Sequence, residues 1–352
     1  MSSRRVTLAD VARMAGVSPT TASFVLSGRG EEMRISRDVA DRVLKTADKV
    51  QYRPNILSVG LRTGTTRTIG FVSDTVATSR FAGELIKGAL EAARERGVML
   101  FIGETEGDPQ LERQLVQAMY DRQVDGIILA AMYTRAIALP KGLAAGPAVL
   151  LNALSKRPSP LPSVLPDEAE AGRAAARVLL EAGHRDGIHL IGAGPWKRDV
   201  PPGGVAAVER LEGIRTTLAG AGVKVASGRL CREWEPQAGL AATSELLQNA
   251  RPRALICFND RLALGAYQAL AEFGLTVPTD VSVVSFDDDA IASWVRPGLT
   301  TVAIPHYDLG RAAVDVLFDE IDGDHDETHR QARVHRVAMP VRTRGSVAPP
   351  GA

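Results

Sequence analysis

The 352-residue chain predicts a small all-α domain at its N-terminus, followed by an α/β domain of two lobes with parallel sheets. Three observations carry this. Apolar residues between Thr7 and Val50 recur at helical spacing, with capping residues between the runs. From Thr68 short, continuously apolar strands alternate with helices, the texture of parallel sheets covered on both faces. That alternation runs through two successive sets of similar size, divided by a Pro-rich crossing at Pro158, Pro160 and Pro162.

The head is organised around Thr7 to Ser27. Thr7 is a suitable N-cap, Leu8, Val11, Ala12 and Ala15 follow at helical spacing, and Gly16 supplies a stop at positive φ. Ser18 is a second N-cap, and Pro19 sits at the first helical position, where its missing N–H costs nothing. Ala22, Val25 and Leu26 form one apolar stripe of this second helix, with Thr20, Thr21 and Ser23 on the other side. Two short helices joined by a tight turn fit either an ordinary αα-hairpin or a helix-turn-helix. The latter needs small donors and acceptors at the N-terminal end of its second helix to enter a major groove. After the polar loop Gly28–Glu32, Ser36 caps a third helix over 37–50 whose Val39, Val43, Leu44 and Ala47 close a small core. A domain of about fifty residues is only modestly stable by itself.

Charge is unevenly placed. Residues 1–62 carry 11 Lys+Arg against 6 Asp+Glu, while the whole chain stands at only +1. A basic head on an acidic body suits a polyanion-binding module. With 45% hydrophobic and 24% charged residues the composition is that of a soluble globular protein. Cys231 and Cys257 make neither a metal cluster nor a disulfide framework, which points to a reducing cytoplasm. No signal region and no apolar run of about 18 residues is present, so secretion and membrane insertion are not expected.

In the larger domain, strands are expected at 68–72, 98–102, 126–130 and 148–151, with helices at 81–96 and 109–122. The second set places helices at 168–182, 208–221, 236–248 and 260–273, with strands at 187–192, 255–258 and 281–286. Ligands of such sheets sit beyond the carboxyl ends of the strands. At one such end stand Asp287, Asp288 and Asp289, readable as a metal site, as paired catalytic carboxylates, or as one ligand acceptor with two helix-capping neighbours. Enzyme signals are weak. The glycines after 188–192 lack the third Rossmann glycine, His325 to His329 misses the zinc-helix pattern, and there is no nucleophile elbow.

The run TLADVARMAGVSPTTASFVLSG resembles the opening of LacI/GalR-family transcriptional regulators, and the likeness continues through Ile35-Ser36, 37–49 and Tyr52-Arg53-Pro54-Asn55 to about Ser346. The resemblance implies a helix-turn-helix domain (1–51), a hinge helix or linker (52–66), and a periplasmic-binding-protein-like sensing and dimerisation domain (67–346). Its first lobe would comprise about 67–163 plus 302–332, and its second about 164–288 plus 334–346. The chain would cross between them near 164–167, near 288–301 and near the C-terminus. A DNA-contacting set is implied at Thr7, Leu8, Ser18, Pro19, Thr20, Thr21, Ser23, Phe24, Arg34, Tyr52, Asn55, Leu61 and Arg62. Leu61 would wedge into the minor groove. Ser58-Val59 departs from the family's usual A-R, and Phe24 stands where many members are polar; it either meets a thymine methyl or packs on the third helix.

For a small-molecule effector, a sugar or sugar derivative, the resemblance implies Arg210 (R-x-x-G), Asn259 (N-D), Trp234 as covering aromatic, and Asp287, with Phe81 and Asp167 from the opposite lobe and the crossover. Trp196 and Trp294 either line the cleft or pack. The expectation is therefore a homodimeric repressor of a near-palindromic duplex operator, without catalytic residues, cofactor or metal. Its rivals are an α/β enzyme or a solute receptor using the same cleft, with the head as accessory.

Overall fold

A computed structural model of the chain describes residues 6–52, 64–75, 82–323 and 333–351. It divides into two compact units, Met1–Thr66 and Arg67–Ala352.

In the first unit, α1 (Leu8–Ala15), α2 (Pro19–Leu26) and α3 (Arg37–Lys49) surround Val11, Ala12, Ala15, Ala22, Val25, Val43 and Ala47. Each end follows local chemistry. The Asp10 N–H reaches the Thr7 hydroxyl oxygen while the Asp10 carboxylate takes the Thr7 N–H, a reciprocal cap. Gly16 ends α1 at φ 66°, and the Ser18 hydroxyl accepts the Thr21 N–H at 3.0 Å. Ser36 precedes α3 without a side-chain cap bond. On α3 the core stripe is Val43 and Ala47 with Ala40 beside them, and Leu44 is exposed. Leu44, four residues from Ala40 and three from Ala47, lies at the margin of that stripe, and the expectation that it is core fails. The Arg42 Nε donates to the Ala15 carbonyl at 2.8 Å and ties α3 to the end of α1.

The second unit opens with β1 (Thr68–Ser73), α4 (Ala82–Glu95), β2 (Met99–Glu104), α5 (Pro109–Asp121), β3 (Gly126–Ile137), β4 (Ala148–Ser155) and β5 (Ser163–Pro166). It continues with α6 (Glu168–Glu181), β6 (Ile188–Gly192), α7 (Val205–Gly220), β7 (Ser227–Leu230), α8 (Pro236–Asn249), β8 (Ala254–Cys257), α9 (Asp260–Glu272) and β9 (Ser282–Asp287). Past Phe286, where no element was anticipated, come α10 (Ala290–Trp294), β10 (Thr300–Ala303), α11 (His306–Asp322), β11 (Val334–Val337) and β12 (Val341–Arg342).

Two six-stranded sheets result, β11-β5-β4-β3-β1-β2 and β12-β10-β9-β8-β6-β7. Apart from the antiparallel β10–β12 pair, the pairings are parallel. Both sheets wind out one way and back the other, so each reverses order beside its first strand, at β1/β3 and at β6/β8. Crevices at such reversals are where ligands of open α/β sheets bind.

Sheet membership corrects the expected lobe limits. Val334–Val337 pairs with β5 in the first sheet, not the second, and Thr300–Ala303 extends the second sheet. The crossings therefore follow Pro166, Ala303 and Val337. They run side by side: the Asp167 N–H donates to the Val337 carbonyl, and the Ala303 N–H to that of Pro340, at 2.9 and 2.8 Å. Sequence alone could not separate β10 from a crossing, because a four-residue apolar strand serves either.

Candidate functional site

On the head, Ser18, Pro19 and Thr20 are exposed, and Thr21 and Ser23 are half-buried at the N-terminal turns of α2. Ser18 and Thr21 also bond to each other through their hydroxyls at 2.8 Å, so the cap fixes both side chains. Thr7 is exposed and bonded to Asp10, while Leu8 and Tyr52 pack against the head core. Arg34 is exposed, at φ 53°. Phe24 is half-buried with the Arg29 guanidinium 5.5 Å from its ring centroid, and Arg29 is itself held by both oxygens of Glu32. Asn55, Leu61 and Arg62 lie outside the described residues, as do the hinge segment around them, Phe81 and the His325–His329 run.

The larger unit concentrates its charge at the carboxyl end of the second sheet. Arg210, on the face of α7 turned to the protein, is 3% exposed. Its Nε and Nη2 donate to the two oxygens of Glu168 at 2.5 and 3.1 Å, its Nη1 to the Phe258 carbonyl at 2.7 Å, and its Nη2 also to Asp287 Oδ1 at 3.4 Å. The Phe286 ring centroid lies 4.6 Å from the guanidinium carbon. Burial pulls the Arg210 pKa down, and the Glu168 and Asp287 carboxylates outweigh it and hold the group above its ordinary value. The glycine of the R-x-x-G pattern has a packing reason. A Cβ at Gly213 would collide with the Ala169 carbonyl, and one at Gly172 with that of Arg210, so α6 and α7 touch backbone to backbone and bring Glu168 to Arg210.

Asp287 ends β9 at φ 108° and Asp288 follows at φ 59°, a left-handed turn that costs about 1–3 kcal/mol per non-glycine residue and must be held from outside. Asp260 is part of what holds it. Its fully buried carboxylate accepts the Asp289 N–H at 2.7 Å, the Thr301 hydroxyl at 2.8 Å and the Ser285 hydroxyl. Burial pushes Asp260 up to about 7 and Asp287 up to about 6. Asp288 pairs with Arg344 at 2.6 Å, and Asp289 caps α10. The three aspartates are thus engaged separately: Asp287 is half-buried beside Arg210, Asp288 is half-buried against Arg344, and Asp289 is buried as a cap.

Asn259 is 7% exposed. Its carbonyl caps α9 at the Leu262 N–H (2.8 Å), and its amide donates to the Trp234 carbonyl (3.1 Å). The side chain thus serves the fold at the site's edge more than it faces a ligand. Trp234 is half-buried, edge-on to Phe258 at 5.8 Å, and its buried indole N–H has no hydrogen-bond partner among the described residues. Asp167 caps α6 at the Glu170 N–H and lies on the first crossing. Trp196 and Trp294 are 71% and 69% exposed, so neither is a core residue.

The structure thus brings together Arg210 and Asp287, with Asn259 holding Trp234 by its carbonyl. It adds Glu168, Asp260, Phe258 and Phe286, which the sequence reading missed. A glutamate in a first helical turn is commonplace, so nothing local marks Glu168 as buried. In the first sheet, Asp74 ends β1 accepting the Met132 N–H and pairing with Arg135 at 2.6 Å. Among the described residues no His, Cys, Asp and Glu group could hold a metal, and no helix is long and apolar enough to cross a membrane.

Two parallel-sheet lobes with a polar site at the carboxyl ends of β8 and β9, in one chain with a basic helix-turn-helix head, define a ligand-sensing DNA-binding regulator. Comparison with known proteins gives it a family. Residues 7–55 match the model of bacterial regulatory proteins of the lacI family, and residues 66–343 that of periplasmic binding proteins and the sugar binding domain of the LacI family. The transcriptional regulator AscG of Escherichia coli K12 is 32% identical over 322 residues, 90% of this chain and 92% of its own. The ribose operon repressor of the same strain is 30% identical, over 90% and 93%. The structure of the lac repressor dimer bound to operator and an anti-inducer superposes with a TM-score of 0.78 over 98% of this chain and 100% of that one, at 24% identity, which shows the fold. The chain belongs to the LacI family: it is a DNA-binding transcriptional regulator with a small-molecule-sensing domain, and not an enzyme.

Proposed function

We propose that this regulator is a cytoplasmic homodimeric repressor whose two heads read half-sites of a near-palindromic operator, and whose grip is set by a sugar or sugar derivative bound between the lobes at Arg210, Asp287 and Trp234. The observation that carries the reading is where these residues sit relative to the crossings. The Ile304 N–H, just past the second crossing, donates to the Asp287 carbonyl at 3.2 Å. Arg336, on the first-sheet strand β11, pairs with Glu209, the neighbour of Arg210, through bonds of 2.6 and 2.7 Å. A ligand that moves Asp287 or α7 therefore acts on the strands joining the lobes.

Ligand-driven lobe movement would alter the spacing of the two hinge entries, residues 52–66. Because a short isolated helix is marginal in water, a coupling of about 1–3 kcal/mol changes operator affinity about 5- to 150-fold. Buried, unpaired Cys231 and Cys257 fit a reducing compartment. The edge strand β2 exposes Met99 and Phe101 on one face and Ile102 on the other, at 61, 41 and 42%, an apolar edge suited to a second copy. The kinship with a ribose operon repressor favours a sugar as effector and repression as the sense of control. Selection of duplexes from a random pool with the full-length chain tests this: a near-palindrome is expected, and a pool left without sequence preference would refute it.

A further inference from the structure

We propose that Glu168 makes the Arg210–Asp287 site selective for an uncharged polyol: by filling the guanidinium fork it leaves the Asp287 carboxylate as the charged group a ligand meets, so that phosphate- and carboxylate-bearing metabolites are rejected. The inference rests on the effector reading above and narrows it.

A free arginine in such a site would serve as a fork for phosphate or carboxylate. Here the fork is closed. Glu168 is 2% exposed and takes both Nε and Nη2, the Phe258 carbonyl takes Nη1, and the stacked Phe286 ring covers a face. Asp287 is the more accessible member of the cluster, its side chain 23% exposed against 3% for Arg210. The balance is one buried cation among Glu168, Asp287 and Asp260; burial is the first cause of the raised pKa values of Asp260 and Asp287, and repulsion from a neighbouring carboxylate adds to it. Neighbouring cations have their own carboxylates: Arg261 pairs with Glu235 at 2.6 Å, and Arg344 with Asp288. Lys197 and Arg198, in the loop after β6, are exposed, where solvent screens them. A sugar hydroxyl donates to the Asp287 carboxylate, whereas a phosphate or carboxylate group has no proton to give it and meets the field of the carboxylates.

The test is calorimetric titration of the full-length protein with neutral pentoses, hexoses and cellobiose, and with ribose 5-phosphate, glucose 6-phosphate and gluconate. A neutral sugar is expected to bind, with its phosphate or acid weaker by about tenfold or more. A charged derivative binding as tightly as its parent would overturn the inference and leave the sensor reading standing. No binding by any of these compounds would overturn the sugar-sensing reading, and this inference with it. Glu168→Gln, which frees part of the fork without removing its hydrogen-bonding shape, should narrow the gap by about tenfold; an unchanged gap would remove Glu168 as its cause. The wild-type comparison needs no variant, so it stands whether or not Glu168→Gln folds.

Discussion

Glu168 and Arg210 form a closed, two-bond ion pair at 2.5 and 3.1 Å, with 2 and 3% of their side chains exposed. Removing Glu168 leaves the buried Arg210 with Asp287 at 3.4 Å as its remaining carboxylate, and uncovering a buried charge costs up to about 3–5 kcal/mol. Glu168→Ala should therefore lower the stability of the sensing domain by about that much in urea unfolding. A loss below about 1 kcal/mol, the range of exposed pairs, would mean that the pair is solvated in solution.

Asp260 gives a pH dependence of defined sign. An unfolded aspartate titrates near 3.9, and burial raises this one to about 7. Between these values the folded state binds a proton that the unfolded chain has released, so the contribution of Asp260 to stability is present in acid and lost as pH rises through 7. Buried His184 and His189 and half-buried His306, held below their ordinary values by desolvation, pull the other way. The comparison must therefore be differential. Relative to Asp260→Asn, the wild-type protein should lose thermal stability from pH 5 to about 7 and level off above it; a constant difference between pH 5 and 7 would contradict the assignment.

Arg34 stands exposed on the head, within reach of solvent and hence of a polyanion. Operator affinity should fall steeply with salt, and Arg34→Gln should reduce the log–log slope by about 1 while weakening all duplexes alike. An unchanged slope would take Arg34 out of the phosphate contacts.

The apolar edge of β2 predicts self-association. Phe101→Glu places a charge on that face and should shift sedimentation from dimer toward monomer without altering far-ultraviolet circular dichroism. A variant that remains dimeric would put the interface elsewhere.

The head was almost wholly legible because its boundaries are local chemistry. Thr7, Gly16, Ser18 and Pro19 act within four residues of themselves, and each is a cap or a first helical position in the structure. The apolar strands were legible for the same reason. Long-range pairing was not. Whether Val334–Val337 joins the first sheet or the second depends on β5, far away in sequence, and Thr300–Ala303 could serve as strand or crossing. At the site, Arg210 and Asp287 were readable from pattern, and the structure pairs them. Asn259 was assigned to a ligand from its amide, yet that amide caps α9 and holds the Trp234 carbonyl. Glu168 and Asp260 escaped because burial of a carboxylate is set by partners from other elements, Arg210 for one, Ser285 and Thr301 for the other.

If the Arg210–Asp287 site governs the grip of the head on DNA, operator affinity must follow its occupancy. Operator titrations of the protein are therefore made with and without a saturating neutral sugar that binds it. The affinity should change by about 5- to 150-fold, and the change should vanish in Asp287→Ala. An operator affinity indifferent to a sugar shown to bind, or an equal response in Asp287→Ala, would contradict it.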